Sequence, residues 1–261
     1  MLYKTKVEYG DYTMNHVLGC SHGCKYPCYA MMMAKRFGKV RSYAEWCEPV
    51  LVSNTIELLD KEIPRLKTKI HHVQLCFTTD SFMYGHDDVC RMSIEAIKRL
   101  NEDEIPCVVL SKGVLPIELA EYSKRNVYGI TLVSLDERYR EEYEPGAAPY
   151  DDRITALKKL HDRGCRTWVS MEPYPSPNII EQELLPVLER VSFADRIIFG
   201  RTNYNKFVSS YPNIKSWYND RAREVMKFCV DNGIDYHIKS GTLTGGEQGA
   251  ESNTSPILAV A

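Results

Sequence analysis

No apolar run in this 261-residue chain approaches the roughly 18 residues that a membrane-spanning helix needs, and no charged-then-apolar leader opens it. The nine cysteines do not fall into a disulfide framework, because six of them are scattered singly. These absences point to a cytoplasmic protein that keeps its thiols reduced. Neither sign of charge dominates: 33 Lys+Arg against 35 Asp+Glu leave a net charge of −2, which does not announce a nucleic-acid binder. No glycine-rich phosphate loop follows the first strand, which disfavours a doubly wound dinucleotide fold. Neither an internal repeat nor an inter-domain linker interrupts the chain, and with 44% hydrophobic residues it can bury one large core.

What is present is concentrated. Cys20-Ser-His-Gly-Cys24-Lys-Tyr-Pro-Cys28 lies between the strand-like run Thr13 to Leu18 and the helix-like run Tyr29 to Arg36. Three thiolates on one loop read as a metal site, and an odd number leaves a metal position open for chemistry. A structural zinc site takes four ligands, often as two pairs; here His22 is the one candidate fourth ligand, and no second Cys or His pair follows. An iron–sulfur cluster is the other chemistry that thiolates select and is the favoured reading, with a non-catalytic zinc-stabilised binding module as the alternative. Cys47, Cys76, Cys90, Cys107, Cys165 and Cys229 read as small buried hydrophobes. The basic group Lys35, Arg36, Lys39 and Arg41 reads as a solvated helix end, with phosphate contact as a second reading.

The remainder alternates strand and helix signals. Strands are expected at His72 to Thr79, Pro106 to Ser111, Tyr128 to Ser134, Arg166 to Met171, Arg196 to Gly200 and Asp235 to Lys239. Helical periodicity lies between them, including a helix capped by Asp151 and Asp152. Successive βα units with apolar strands imply a parallel sheet with right-handed crossovers, here an α/β fold of the partial (β/α)6 type, an open TIM-like barrel. Chemistry in such a fold gathers at the C-terminal ends of the strands. One rim then carries the cysteine loop, Thr78, Thr79 and Asp80, Ser111 and Lys112, Ser134, Glu172, Arg201 and Lys239. The barrel is expected to fill residues 1–240. From Ser240 onward the composition turns to Gly, Ser, Thr and small residues, so residues 241–261 read as a flexible tail.

Taken in order, Cys20…Cys24…Cys28-Tyr29, Thr78-Thr-Asp80, Leu110-Ser-Lys112, Ser134-Leu-Asp-Glu137 with Glu144-Pro-Gly146, and Ser170-Met-Glu-Pro173 resemble the radical S-adenosylmethionine (SAM) enzymes. Within them they resemble the spore photoproduct lyase-like group, over roughly residues 10 to 240. The resemblance implies a [4Fe-4S] cluster on Cys20, Cys24 and Cys28, with SAM chelating the fourth iron. It also implies reductive cleavage of SAM to a 5′-deoxyadenosyl radical that abstracts hydrogen from a substrate. Asp80 with Thr78 and Thr79 would accept from the SAM ammonium, Lys112 would pair with its carboxylate, Ser134 would meet its ribose and Tyr29 its adenine, with Ser111 a further cofactor-binding candidate. Glu172, Arg201 and Lys239 are left for the substrate, a nucleic-acid base ahead of a peptide or metabolite. An electron donor such as flavodoxin or ferredoxin is implied as partner.

The chain departs from that group in two ways. Lys25-Tyr26-Pro27 puts three residues between the second and third cysteines where the group has two, and Phe77 stands where the lyase carries its hydrogen-donating cysteine. Strand alternation expects Cys76 on the opposite face from Phe77, against the outer helices, so thymine-dimer cleavage is not carried over.

Overall fold

The computed structural model describes residues 1–8, 10–245 and 252–253. Eight strands form one sheet. β1 (Leu2–Lys4) pairs antiparallel with β2 (Tyr12–Met14). β3 (Val17–Leu18) and β4 (Val50–Leu51) make a separate two-stranded ribbon beside the cysteine loop. From β2 the main sheet continues in parallel through β5 (Val73–Leu75), β6 (Cys107–Ser111), β7 (Val127–Thr131), β8 (Arg166–Tyr174), β9 (Arg196–Arg201) and β10 (Asp235–Ile238), in that order. This is the expected parallel sheet of sequential βα units. Among the described residues β1 and β10 are its two edges and do not pair with each other. Across that seam Glu8 accepts from the Ser240 hydroxyl at 2.6 Å and lies 3.5 Å from His237 Nε2, which ties the N-terminal segment to the end of β10 with side chains.

The helices follow from amphipathic patterning. Asp87–Glu102 buries Val89, Ser93, Ala96, Ile97 and Leu100, one stripe at helical spacing, against the sheet. Tyr150–Asp162 buries Ile154, Leu157 and Leu160; Asp151 and Asp152 lie inside its first turn, where they complement the helix dipole, and not at the N-cap, which is Pro149. Gly164 follows at φ 76°, the left-handed conformation that closes a helix at low cost to glycine. Between β6 and β7 the connection holds only a short 3₁₀ turn, Ile117–Glu121.

The sheet has a core on each face. The larger one lies between strands and helices, and a small one of Val108, Val127, Trp168 and Ile198 sits on the inner face. Gly129 on β7 pairs in register with Trp168 on β8. A Cβ at Gly129 would lie 2.3 Å from the indole Nε1, so glycine is what lets the tryptophan lie flat across the sheet, where Nε1 donates to the Val109 carbonyl at 3.0 Å. Trp168 comes early in its strand and so fills the N-terminal end of the barrel, leaving the C-terminal end open.

Part of the segment expected as a tail is packed. Thr242 and Leu243 are buried, Asn219 exchanges hydrogen bonds with the Thr244 backbone, and the Asn253 side chain accepts from the Tyr236 amide at 2.7 Å. Residues 246–251 and 254–261 lie outside the described residues. Among those described, no helix is long and apolar enough to cross a membrane.

Candidate functional site

The C-terminal ends of the parallel strands surround a cavity of about 650 Å³, within the range of small-molecule sites. Cys20, Cys24, Cys28 and Tyr29 line it. So do Thr78, Thr79 and Asp80 after β5, Ser111 and Lys112 at the end of β6, and Glu172, Arg201 and Lys239 from β8 to β10. Ser134 does not. Its hydroxyl is buried and accepts from the Asp136 amide at 3.0 Å, shaping the turn into the helix Glu137–Tyr143. Thr131, at the end of β7, is part of the cavity wall.

Asp80 organises the loops. One carboxylate oxygen accepts from His22 Nε2 and the Lys112 amide, both at 2.7 Å; the other accepts from the Phe82 amide and the Ser111 hydroxyl, both at 2.8 Å. Burial alone would push this carboxyl up, but His22 and the amide donors hold it below the usual range. With four donors satisfied, Asp80 locks the cysteine loop to β6. His22 Nδ1 faces the Gly146 carbonyl at 3.2 Å. Both ring nitrogens are committed to oxygens that only accept, so His22 is not the fourth metal ligand. The Gly146 amide in turn donates to the His22 carbonyl at 3.0 Å, and a Cβ at Gly146 would lie 2.1 Å from the Ser21 carbonyl oxygen. That close approach gives the Glu144-Pro-Gly146 motif its physical reason.

Beneath Cys24 runs a buried line of charge. Lys112 Nζ lies 2.7 Å from Glu144 Oε1 and 3.5 Å from Cys24 Sγ, and it also hydrogen-bonds the Tyr26 hydroxyl. The other Glu144 oxygen meets Arg153 at 3.1 Å, and both of these side chains are fully buried. Arg153 also donates to the carbonyls of Ala148 and Thr131. Burial would raise the Glu144 carboxyl, but Lys112 and Arg153 hold it below its ordinary value. The Lys112 ammonium is thus paired with Glu144 and Cys24.

The remaining candidates divide between scaffold and open wall. Thr78 donates twice to Asn15 Oδ1 and Thr79 donates to the Val17 carbonyl, so both hold the strand ends together. Glu172 and Lys239 form an ion pair at 2.7 Å; burial pushes the Glu172 carboxyl up, offset in part by Lys239. Arg201 Nε donates to Asn203 Oδ1 at 3.0 Å. The exposed Tyr29 ring stacks on Tyr204, with centroids 6.3 Å apart. Phe77 lines the cavity, whereas Cys76 packs behind it with Val17, Met83 and Val89, its Sγ 3.4 Å from His16 Nδ1. The two part company as expected, but for another reason: β5 ends at Leu75 and Cys76 turns at φ 49°, so the separation comes from the turn and not from strand alternation. Tyr26, Trp46, Glu144, Arg153 and Tyr204 escaped the sequence reading. Glu144 alone carried a signal, its place in a quoted motif.

The residues present fit an iron–sulfur cluster. Cys20, Cys24 and Cys28 are unpaired thiols lining one wall, and Lys112 stands beside Cys24 to offset thiolate charge. Fold and site together define a parallel-sheet enzyme whose cofactor pocket opens at the strand C-termini beside a three-cysteine loop.

The radical SAM superfamily model matches residues 14–191, more than half of the chain, and the chain belongs to that superfamily. Its cofactors are accordingly a [4Fe-4S] cluster and SAM. It is 25% identical over 183 residues to an uncharacterized protein of Methanocaldococcus jannaschii, MJ0683, covering 69% of this chain and 66% of that one. The chain spans about two thirds of the length of the curated relatives it matches. Spore photoproduct lyase complexed with dinucleoside spore photoproduct superposes with a TM-score of 0.65 at 14% identity, over 91% of this chain and 78% of that one. SuiB of Streptococcus suis bound to precursor peptide SuiA gives 0.50 at 14% identity, over 70% and 42%. These two likenesses concern the fold, and they support the partial barrel of the lyase-like group.

Proposed function

We propose that this enzyme cleaves SAM reductively and directs the resulting 5′-deoxyadenosyl radical to a hydrogen atom of a substrate seated against Glu172, Arg201 and Lys239, with a nucleic-acid base as the favoured substrate class. The observation that carries the reading is the shared cavity: the three cysteines of the loop and these three ionisable side chains line the same space. The bound cluster supplies the electron that SAM cleavage needs.

The protein's own groups do the rest. Asp80, His22 and Gly146 fix the cysteine loop. The Lys112 ammonium, anchored by Glu144, stands at one thiol of the loop. Trp168 fills the far end of the barrel, which keeps solvent from entering behind the reacting atoms. The Glu172–Lys239 pair and Arg201 give the substrate side hydrogen-bonding groups of both signs. Phe77 on the cavity wall offers no transferable hydrogen of the thiol kind, which supports a reaction other than the lyase's.

Anaerobic reconstitution tests the proposal. The expected result is about four irons per chain and 5′-deoxyadenosine formation on reduction with SAM present, both lost when Cys20, Cys24 or Cys28 is singly replaced by Ala. A colourless protein holding zinc would overturn it. Replacing Glu172, Arg201 or Lys239 by Ala is expected to spare uncoupled SAM cleavage; parallel loss would make them cofactor residues instead.

A further inference from the structure

The helix Tyr29–Arg36, which starts at Cys28, has no buried residue. It and the turn after it expose Met32, Lys35, Arg36, Phe37, Lys39, Arg41 and Tyr43. Between residues 29 and 44 there is no carboxylate, and among the described residues Lys35, Arg36, Lys39 and Arg41 form no ion pair. A solvated helix end would carry mixed charge and few large apolar side chains. Here Phe37 is 66% exposed among Lys35, Arg36, Lys39 and Arg41, with Glu45 the nearest carboxylate in sequence, its Oε2 accepting from the Arg41 amide at 2.6 Å; apolar and mainly basic, this is the composition of a surface that meets an acidic partner.

This surface is wired to the cofactor wall. Cys28 is the N-cap of the helix, whose eight residues span about 12 Å. Farther along, the Tyr43 hydroxyl donates to the Cys24 carbonyl at 3.2 Å and the Cys20 amide donates to the Trp46 carbonyl at 2.8 Å. The segment therefore touches the cysteine loop at both ends, and a protein docked on it sits close to the cluster-binding loop.

We infer that residues 29–43 are the docking surface for an acidic one-electron carrier protein of the flavodoxin class. The inference rests on the proposed function, in which SAM cleavage needs an electron. In the docked pair one electron passes from the reduced carrier to the cluster; the carrier is oxidised by one electron, and no bond or proton moves. Positive potential over the helix steers the carrier and makes the encounter sensitive to salt.

The experiment compares reconstituted wild type with a variant carrying Lys35→Glu, Arg36→Glu, Lys39→Glu and Arg41→Glu, and with a milder variant carrying Gln at the same four positions. Purified flavodoxin is the probe, titrated calorimetrically at low and high salt. Reversal is expected to slow flavodoxin-driven SAM cleavage by roughly tenfold to a hundredfold at low salt, with the Gln variant intermediate and dithionite-driven cleavage unchanged. Unfolding curves and iron content report whether the variants fold. Binding titration reads the surface whether or not iron is held, so an iron-free wild type would refute the proposed function without deciding the docking question. Equal flavodoxin affinity and rate in all three proteins would overturn the docking surface. So would loss of affinity for a single-stranded oligonucleotide with flavodoxin binding intact, which would give these cations to phosphates.

Discussion

Glu144 is the residue on which the charge line beneath Cys24 depends. It is fully buried, accepts from Lys112 at 2.7 Å and from Arg153 at 3.1 Å, and receives the Tyr26 hydroxyl at 3.1 Å. Glu144→Gln keeps the shape but removes the negative charge, leaving two cations buried within one network. Breaking a buried pair by removing one partner costs about 3–5 kcal/mol, because the remaining charge is uncompensated. For a chain of this size that is a fall of roughly 10 °C in Tm. Replacing Arg153 as well, in Glu144→Gln with Arg153→Met, takes away one stranded cation and is expected to recover part of the loss, so that a double-mutant cycle gives a coupling of about 1–3 kcal/mol. Thermal and urea unfolding of the four proteins measure this directly. The loop should report it too: with Lys112 released from Glu144, the hydrogen bond to Cys24 loosens and iron retention falls. A Glu144→Gln protein as stable as wild type, with no coupling to Arg153, would show that the network is hydrated and would falsify the reasoning.

Much of the scaffold could be read from residue order, because a strand buried on both faces leaves a continuous apolar run. Cys107–Ser111, Val127–Thr131 and Arg196–Arg201 were visible that way, and the rule that chemistry collects at strand C-termini brought all the candidates except Ser134 to one cavity wall. What each side chain does there was less legible. Spacing brings Asp80 and Lys112 to the rim but does not show what already bonds to them. Only the folded chain brings His22, 58 residues away, and Glu144, 32 residues away, into contact with them. Glu144 and Arg153 lie in ordinary polar stretches, and nothing local marks a charged side chain as fully buried. His72 to Thr79 reads as one strand, yet it stops at Leu75, where Cys76 takes a left-handed turn that tertiary contacts, not propensity, impose. The Gly146 contact was similarly hidden: a glycine four residues before the helix Tyr150–Asp162 looks like a turn until the Ser21 carbonyl is found against it.

Four further outcomes follow from the packing. Gly129→Ala drives a methyl into the Trp168 indole and is expected to destabilise the protein by about 1–3 kcal/mol, read as a lower urea midpoint at unchanged m-value. Gly146→Ala displaces the Ser21 carbonyl and is expected to reduce iron uptake far more than it lowers Tm; full iron content would show that the loop has room to move. Cys47→Ala, beside Tyr43, is expected to keep its iron, whereas Cys28→Ala loses it, and iron analysis of the two separates ligand from neighbour. The last outcome concerns acid. His16 is fully buried, with Nε2 2.7 Å from the Ser93 hydroxyl and Nδ1 3.4 Å from Cys76 Sγ, and no carboxylate faces it from these partners. Burial holds its pKa down at about 4, against 6.5 for the free side chain. Above pH 6.5 both folded and unfolded chains keep it neutral, so its contribution is flat. As pH falls from 6.5 toward 4 the unfolded chain takes up a proton that the folded one refuses, and stability drops by about 3 kcal/mol over that window. Urea unfolding at pH 7.5, 5.5 and 4.5 should trace this loss in wild type and show a shallower slope in His16→Gln. An unchanged slope in that variant would assign the acid sensitivity to other groups.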